Sequence, residues 1–449
     1  METRQLPTAE ILLKTVYTEL EHVDISPCTR HLFNQALFVM KQTQLARLQH
    51  NWAQVLVDHA DDLINCTSFG KVSKSSRIAY MLACIVKAAV YSIQLKDHSD
   101  LVADITTCDI YNIRASLQSL DRGVLISGCP ISNHLVLSWI VLTQQILTRL
   151  DPHSLLTAKP KYFLCSSQRI PAQVVYKTSQ LIPAQCVEIH STPLSMSEFN
   201  LHLTREILPT PIIICNVLDG CPCLSTRPWK DVAYILSVMG ADRLVPVEIG
   251  SHYTDESWTQ RIITAGEFFQ YVVDTERQSD VDARPNEIMY LAQHDLFDRV
   301  SELASDLAIP DYCIMAPSVH SRTRWMSTLD SSMDEPQICV NVWIGPAGTH
   351  SPLHTDPYDN LFTQIVGYKY IRLYAPSETK YLYPHNSSTL LSNTSQVDVA
   401  HPDLTLFPEF TKAVYVECIV GPGEMLLIPC GWWHYVESIT SSISVSFWF

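Results

Sequence analysis

The stretch ICVNVWIGPAGTHSPLHTDPYDNLFTQIVGYKYIRLY, residues 338–374, carries the pattern on which the fold prediction rests. Runs rich in β-branched and aromatic residues, such as ICVNVWIG and KYIRLY, alternate here with turns that contain glycine, proline and aspartate. Runs of this length and composition are typical of β-strands. Similar runs continue toward the C-terminus, in AVYVECIV, EMLLIP and SISVSFWF. Many short strands separated by turns predict a β-barrel or β-sandwich.

The first 150 residues show a different, helical periodicity. Apolar residues recur at three- and four-residue spacing between His31 and Ile64, and apolar runs cover residues 78–95 and 135–150. The run 78–95 has about the minimum length of a membrane span, but Lys87 within it favours a buried helix. The chain is therefore predicted to be an α+β protein of two domains. The predicted segments are a helical interaction domain (1–150), a proline-containing connector (151–205) and a β-rich domain (206–449).

Composition limits the classes of partner. The chain has 449 residues, 47% of them hydrophobic, and a formal net charge of −15. This charge argues against direct binding to nucleic acid, which needs a basic face. It is compatible with a basic protein or peptide as partner.

Fourteen cysteines are scattered along the chain, and no paired CxxC motifs occur. Structural zinc is therefore not predicted. The first residues, METRQLPTAE, contain no apolar signal core. We expect reduced thiols in an intracellular protein that does not span a membrane.

The triplet His354-Thr-Asp356 predicts a metal site. On a strand, residues two apart project from the same face. Two histidines and one carboxylate form the facial triad of non-haem iron(II) oxygenases. The third ligand must come from another strand, and His434, in the connection after the apolar run 425–429, is the candidate.

Other histidines fit this chemistry less well. His350 and His354 are four residues apart, which on a helix would suggest zinc. Pro352 lies between them and a glycine-containing turn precedes them, so a helix is disfavoured and His350 is predicted to lie in a loop. His385 and His401 lie in a polar stretch between strands and are predicted to be solvated.

Lys369 is predicted to need an anion. It alternates with Ile371 and Leu373 and therefore shares their apolar face. A lysine that points into a barrel needs a counter-charge, and a dicarboxylate cosubstrate would supply it. The alternative is that Lys369 follows a hairpin turn at Gly367 and faces water.

Several further motifs extend this pattern: VPVEIGSHYTDESW, YLAQHDLFD, GPAGTHSPLHTDPYDN, GYKYIRLYAP, NTSQVDV and PGEMLLIPCGWWHYV. Over about residues 205–449 the sequence resembles the jumonji-C family of 2-oxoglutarate oxygenases. Within that family it looks like a group described both as lysine demethylases and as protein arginyl hydroxylases. The resemblance implies a double-stranded β-helix (cupin barrel) with flanking helices.

The same resemblance implies a role for individual residues. The implied iron ligands are His354, Asp356 and His434. The implied 2-oxoglutarate pocket consists of Tyr290, Ser351, Asn360 and Lys369, walled by Trp343 and Trp448. The implied substrate residues are Glu248 and Trp258, with Tyr253 and Gln293. A carboxylate beside an aromatic face suits a guanidinium, whereas without the resemblance Glu248 would be interpreted as a solvent-facing strand residue.

The function expected from these sites is hydroxylation of an arginine side chain in a protein or peptide, with Fe(II), 2-oxoglutarate and dioxygen. The alternative is demethylation of N-methyl-lysine or N-methyl-arginine, with histone tails as one substrate. A second alternative is a non-catalytic, metal-binding interaction protein that works through its helical half. Residence in the nucleus, as well as in the cytoplasm, is implied only by the resemblance.

Overall fold

The structure is a computed structural model. It describes the following residues: 6–42, 46–67, 71–95, 106–131, 133–151, 164–165, 171–179, 185–204, 208–250, 258–277, 287–315, 338–386 and 391–449.

The N-terminal region is helical, as predicted. Its helices are α1 (Ala9–His22), α2 (Pro27–Met40), α3 (Ala46–Asn65), α4 (Lys74–Ile93), α5 (Thr107–Ser127) and α6 (Asn133–Leu150). Local signals set their ends. The Thr106 hydroxyl and the Asp109 carboxylate form a reciprocal capping box at the start of α5. Gly128 ends the same helix with φ +68°. The periodic stretch His31–Ile64, treated as one run in the sequence, is divided between α2 and α3.

Helix α4 lies in the core of the helical region. By length and composition alone it could cross a membrane. From Ala79 to Val90, however, every side chain except that of Lys87 is buried, and these side chains belong to the hydrophobic cluster that α1–α6 share. The prediction of a buried helix in this run is confirmed.

Two short segments distant in sequence group with the helical region, namely Met239–Val245 and Ile262–Glu267. Arg243 and Asp121 form an ion pair of 3.0 Å (Nε to Oδ2), and both side chains are almost fully buried. The same Oδ2 of Asp121 also accepts a hydrogen bond of 2.6 Å from the backbone N–H of Leu244. This buried, hydrogen-bonded charge pair joins the segment Met239–Val245 to α5.

The β-rich region contains thirteen strands within the described residues. They are β1 (Glu188–His190), β2 (Ile212–Ile214), β3 (Leu244–Ile249), β4 (Thr259–Thr264), β5 (Met289–His294), β6 (Cys339–Gly345), β7 (His350–Thr355), β8 (Asn360–Val366), β9 (Lys369–Tyr374), β10 (Tyr415–Val420), β11 (Met425–Ile428), β12 (Trp433–Ser438) and β13 (Ser442–Trp448). The helices among them are α7 (Ala172–Ser179), α8 (Met196–Leu203), α9 (Val232–Met239), α10 (Ala265–Arg277), α11 (Leu296–Arg299) and α12 (Ser301–Ala304).

These strands form two sheets. The larger has the order β1-β2-β11-β8-β13-β6-β5-β3-β4, and the smaller has the order β10-β9-β12-β7. Side chains of both sheets, such as Ile371 and Val436 from the small sheet and Phe362 and Leu426 from the large one, share a hydrophobic cluster. The two sheets therefore face each other across a common core, and the predicted α+β fold with a β-rich C-terminal region is confirmed.

Successive side chains on the strands of the small sheet point alternately into this inner core and into a second, outer cluster. On β9, Ile371 and Leu373 belong to the inner core, whereas Tyr370 and Tyr374 belong to the outer cluster with Leu353. Lys369 has the parity of Ile371 and is 1% exposed. The alternative of a solvent-facing lysine at this position is excluded.

A β-bulge shifts the faces of β7. Its partner β12 pairs His434 with His354 and Val436 with Ser351. One residue therefore separates the pairs on β12, but two separate them on β7. Directly opposed residues share a face, so the bulge turns Ser351 and His354, three apart in sequence, toward the same inner core.

Two local predictions need correction. His350 begins β7 and is not a loop residue. His434 is the second residue of β12 and does not lie in the connection before it. Both errors share a cause, because each residue lies within two or three positions of a turn, where periodicity is too short to fix a boundary. The segment predicted as connector, 151–205, holds α7, β1 and α8 among its described residues.

Gly367 forms the turn between β8 and β9, with φ +74°, and a Cβ there would overlap the carbonyl oxygen of Ser441. We expect Gly367→Ala to lower the free energy of unfolding by about 3 kcal/mol, since strain and overlap add. Gly423→Ala is the matched control: φ is +88°, and the nearest atom is a Leu224 methyl 3.6 Å away. That control should cost about 1 kcal/mol. Urea unfolding of both variants, followed by tryptophan fluorescence, measures the difference, and equal losses would contradict the overlap.

Candidate active site

His354 and His434 are brought together by strand pairing. They are direct cross-strand partners on β7 and β12, and their ring centroids lie 4.2 Å apart. The backbone of β7 is held on its other side as well, where Thr394 forms a bridge with His354. The two imidazoles are therefore positioned by three adjacent backbone segments.

Asp356 completes a cluster of three metal-ligating side chains. It follows β7, and its carbonyl oxygen accepts a hydrogen bond of 3.0 Å from the Gly431 N–H just before β12. Its Oδ1 lies 3.9 Å from His354 Nε2, and its Oδ2 lies 3.5 Å from His434 Nε2. The three ligand atoms are all within 4.8 Å of one another.

Backbone carbonyls orient both rings. His354 Nδ1 lies 2.7 Å from the Pro352 carbonyl oxygen, and His434 Nδ1 lies 3.1 Å from that of Trp432. A carbonyl oxygen can only accept, so each Nδ1 carries the proton and each Nε2 is left as the ligand atom facing Asp356.

Electrostatics favours the ligand forms of these groups. Burial, and then the neighbouring His434, lowers the pKa of His354 to about 4. Burial acts to raise the pKa of Asp356, but the proximity of His434 and of His354 lowers that pKa overall. A neutral imidazole and an ionised carboxylate result. Two histidines and one carboxylate are the donors that non-haem iron(II) sites use, so this cluster is a candidate Fe(II) centre.

Lys369 lies in the same core as a buried cation. Its Nζ donates a hydrogen bond of 3.1 Å to the Tyr290 hydroxyl and lies 5.4 Å from the centre of the Phe362 ring. No carboxylate of the described residues pairs with it. Burial lowers the pKa of Lys369 to about 7. An ammonium in this setting fits a bound anion, which would restore its ordinary protonation.

Two buried polar atoms near the C-terminal strand lack a partner among the described residues. They are Asn360 Oδ1 and Trp448 Nε1. The two residues are register partners on β8 and β13, and Trp448 also stacks on Tyr358 with centroids 5.2 Å apart. Since buried polar groups are normally hydrogen-bonded, these atoms fit a polar ligand. The Asn360 amide can present either its oxygen or its nitrogen.

Tyr290 connects the lysine to the remaining predicted pocket residues. A side-chain hydrogen bond joins it to Ser351, and burial, together with the Glu248 carboxylate, raises the pKa of its phenol. Trp343 lies beside Tyr290, with ring centroids 6.1 Å apart. The Trp343 Nε1 donates to Ser446 Oγ at 3.0 Å. The structure therefore brings Ser351, Trp343 and Lys369 to one phenol ring.

Glu248 and Trp258 form a pair close to this pocket. Trp258 Nε1 donates to Glu248 Oε2 at 3.4 Å, and Glu248 is the register partner of Tyr290. Burial raises the pKa of Glu248. No basic side chain of the described residues forms an ion pair with it. A half-buried carboxylate beside an indole, without a cation, fits a cationic group of a ligand.

The two remaining substrate candidates differ in what can be said of them. Gln293 is exposed and has φ +47°, at a register shift between Leu291 and His294 on β5. A non-glycine residue in this conformation stores strain and is a common feature of functional sites. Tyr253 lies outside the described residues.

Three site neighbours were not predicted. Phe362 faces the Lys369 ammonium, Ser446 holds Trp343 and Tyr358 stacks on Trp448. Alternation along β8 and β13 gives the faces of Phe362 and Ser446. Their contacts depend on strand order, which the sequence does not specify.

A two-sheet β domain in which two paired strands of one sheet, with the residue that follows one of them, present two histidines and a carboxylate defines the cupin class of metal-binding proteins. Residues 204–449 match the family described as "Cupin-like domain". The chain belongs to this family, and within it to the jumonji-C proteins that resemble lysine-specific demethylase 8.

The relatives cover both halves of the chain. "Lysine-specific demethylase 8" of Danio rerio is 34% identical over 397 residues, which are 88% of this chain and 86% of that protein. "Jumonji C domain-containing protein 5" of Drosophila melanogaster is 32% identical over 394 residues, 88% of this chain and 85% of that protein. "Lysine-specific demethylase 8" of Xenopus tropicalis is 47% identical over 239 residues, 53% of this chain and 47% of that protein.

Proposed function

We propose that this chain is an Fe(II)- and 2-oxoglutarate-dependent oxygenase that hydroxylates an arginine side chain of a protein or peptide. The observation that carries the arginine specificity is the Glu248–Trp258 pair, a carboxylate and an indole next to the Lys369 pocket with no basic partner in the described chain. A planar guanidinium pairs with a carboxylate through two parallel hydrogen bonds and stacks on an aromatic ring. We further propose residues 206–449 as the catalytic domain, 151–205 as the connector and 1–150 as an interaction domain.

His354, Asp356 and His434 would hold the iron. When bound, Fe(II) with 2-oxoglutarate and dioxygen supplies oxidation of a C–H bond, giving an alcohol, succinate and carbon dioxide. The role of the protein is to bind and orient the reactants and to exclude water. Three protein ligands would leave coordination positions free for the cosubstrates.

In this proposal Lys369 binds the distal carboxylate of 2-oxoglutarate, and Tyr290 orients the ammonium through its hydroxyl. Ser351 fixes the phenol of Tyr290. Asn360 and Trp448 would supply hydrogen bonds to the cosubstrate from the two buried atoms without partners. The Trp343 and Trp448 rings would exclude water, which strengthens each of these polar contacts.

In this proposal Glu248 determines how far the arginine side chain of the substrate enters the pocket. A guanidinium held at Glu248 lies beside Tyr290, its register partner. The aliphatic carbons of the same side chain would then point toward the metal cluster. Trp258 and Gln293, with Tyr253, would contact the flanking part of the peptide.

We expect Glu248→Gln to lower kcat/KM for an arginine peptide about 10²-fold, because a buried charge-assisted pair becomes a neutral contact. The measurement is the gain of one oxygen in intact peptide mass. Succinate formed without peptide should change less than about twofold, since the metal and cosubstrate residues are intact. Glu287→Gln, at an exposed carboxylate 3.6 Å from Arg261, is the matched control. Equal turnover of the arginine peptide by Glu248→Gln and the parent protein would contradict the proposal that Glu248 binds the guanidinium.

Demethylation is the second candidate, and the name of two relatives, lysine-specific demethylase 8, favours it. Hydroxylation of an N-methyl carbon gives an unstable product that releases formaldehyde. Histone-tail peptides that carry either methyl-lysine, methyl-arginine or unmodified arginine separate the two functions. Loss of a methylene mass with formaldehyde identifies a demethylase, and a gain of oxygen on unmodified arginine identifies a hydroxylase.

A further inference from the structure

A second cavity lies on the outer face of the small sheet, away from the inner core. It encloses about 380 Å³, which is within the usual size of ligand pockets. One wall consists of residues of β7 and β12, including His350 and Tyr435, and the other of the segment 395–399 with Phe407 and His385. This segment follows directly on Thr394, the bridge partner of the metal-cluster residue His354. The Ser395 N–H also donates to the Leu353 carbonyl oxygen at 2.8 Å.

The largely buried side chain of Tyr435 lines this cavity. Tyr435 is 3% exposed, and its hydroxyl makes no hydrogen bond with any residue in the described part of the chain. Most buried phenol groups find a partner. The exception points to a ligand that satisfies the hydroxyl from within the cavity.

Two carboxylates and, acting against them, the Arg372 guanidinium lie near this phenol. Asp398 lines the cavity, and the carboxylates of Glu437 and Asp398 add to burial in raising the pKa of Tyr435. Glu437 is paired with Lys177 at 2.9 Å. Asp398 Oδ1 accepts the Ala400 N–H, and its Oδ2 lies 3.6 Å from His401 Nδ1 on the surface. Asp398 therefore offers a carboxylate oxygen to a ligand.

The remaining walls suit an aliphatic stem with a cationic end. Val397 and Val399 provide apolar surface, and Phe407 and Tyr435 provide aromatic surface. Cations bind to aromatic faces, and carboxylates add directional hydrogen bonds. A metal ion does not fit, because the one cluster of three metal-ligating side chains within the described ranges is His354, Asp356 and His434.

We propose that this cavity is a binding site for a lysine or arginine side chain of a protein ligand, held by Asp398 and the Tyr435 hydroxyl between aromatic walls. The site goes beyond the proposed oxygenase activity, because binding there requires neither metal nor cosubstrate. The net charge of −15 favours association with basic proteins. A basic side chain bound here would contact the segment that pairs with the strand carrying His354.

The test uses the full chain with the Glu248→Gln substitution as background, so that the arginine site proposed at Glu248 and Trp258 does not contribute to the measured binding. The probes are N-acetyl-arginine amide and N-acetyl-lysine amide, with N-acetyl-citrulline amide as the neutral control. Calorimetry gives the affinity, and hydrogen exchange of residues 391–400 gives the location. We expect the two cationic amides, but not the citrulline amide, to slow exchange in this segment.

Two substitutions locate the contacts. Asp398→Asn should weaken binding of the cationic amides about tenfold, and Tyr435→Phe about threefold to fivefold. Glu188→Gln is the matched control, since this exposed carboxylate also lies beside a histidine, 3.4 Å from His190, and it should change nothing. Tyr435→Phe keeps the ring, so it remains informative if Asp398→Asn lowers the melting temperature.

Three results would overturn the proposal: no slowing of exchange in 391–400 with either amide, equal affinities for the Asp398 and Tyr435 variants and the parent, or binding of inorganic phosphate that Asp398→Asn strengthens. The last result would identify His350 and His385 as parts of an anion site. The assay measures binding without metal, 2-oxoglutarate or turnover. A negative result therefore does not affect the oxygenase proposal, and a protein without oxygenase activity could still bind the amides in this cavity.

Discussion

Replacing His434 with alanine should lower the rate of succinate formation by at least about 10³-fold, because one of three protein ligands is lost and iron binding fails with it. His434 lies 3.5 Å from Asp356 and faces His354 with no other imidazole of the described chain in reach. Substrate peptides should then gain no oxygen. Metal content after dialysis, measured beside activity, separates loss of iron from loss of chemistry.

His401→Ala is the control for this substitution, since its side chain is 89% exposed and lies outside the cluster. It should retain full activity and metal content. His434→Ala protein that keeps both iron and turnover would exclude the three-ligand centre. If the substitution removes turnover but leaves a cellular role intact, that role belongs to the helical region and the interaction-protein alternative gains support.

Replacing Lys369 with methionine should weaken 2-oxoglutarate binding about 10²-fold and raise the melting temperature of the free protein. The two effects have one cause. Lys369 is 1% exposed without a carboxylate among the described residues, so its charge costs free energy until an anion arrives. Methionine fills the same volume without that cost. Calorimetry with Mn(II) and no oxygen gives the affinity, and thermal unfolding gives the stability. A variant that is less stable than its parent would contradict this account of the lysine.

The pH dependence of the parent protein tests the same group. The pKa of Lys369 is lowered to about 7 by burial, and a bound carboxylate would raise it again. Below pH 7 the lysine is already protonated when 2-oxoglutarate binds. Above pH 7 binding must take up a proton, so affinity should fall about tenfold per pH unit. The methionine variant should show no such slope, and a parent protein with equal affinity at pH 6.5 and 8.5 would exclude the mechanism.

The part of the site that follows from alternation alone could be predicted from the sequence. Lys369 shares the face of Ile371 and Leu373, as the period of two requires, and the structure buries all three. Glu248 likewise opposes Val245, Val247 and Ile249, which are buried. These two conclusions need only the geometry of a single strand. His354 and Asp356 also lie together, in one cluster, but Asp356 follows the end of β7, so alternation along the strand does not by itself account for this.

The part of the site that depends on which strands pair, and in which register, could not be predicted in this way. A spacing of three between Ser351 and His354 puts them on opposite faces of a regular strand, and only the bulge against β12 reverses this. The position of Glu248 opposite Tyr290 depends on the pairing of β3 with β5. Register between distant strands arises from the whole core. For these residues the resemblance to a known family supplied what periodicity could not.

The direct pairing of His354 with His434 has a consequence for the order of folding. The two residues are 80 positions apart in the sequence and become neighbours only through pairing of β7 with β12, with β12 also bound to β9. Contacts of such sequence separation form late, because loop closure must precede them. Metal uptake is therefore expected to follow completion of the small sheet and to report that step. In small zinc domains, by contrast, the ion itself drives the chain to fold.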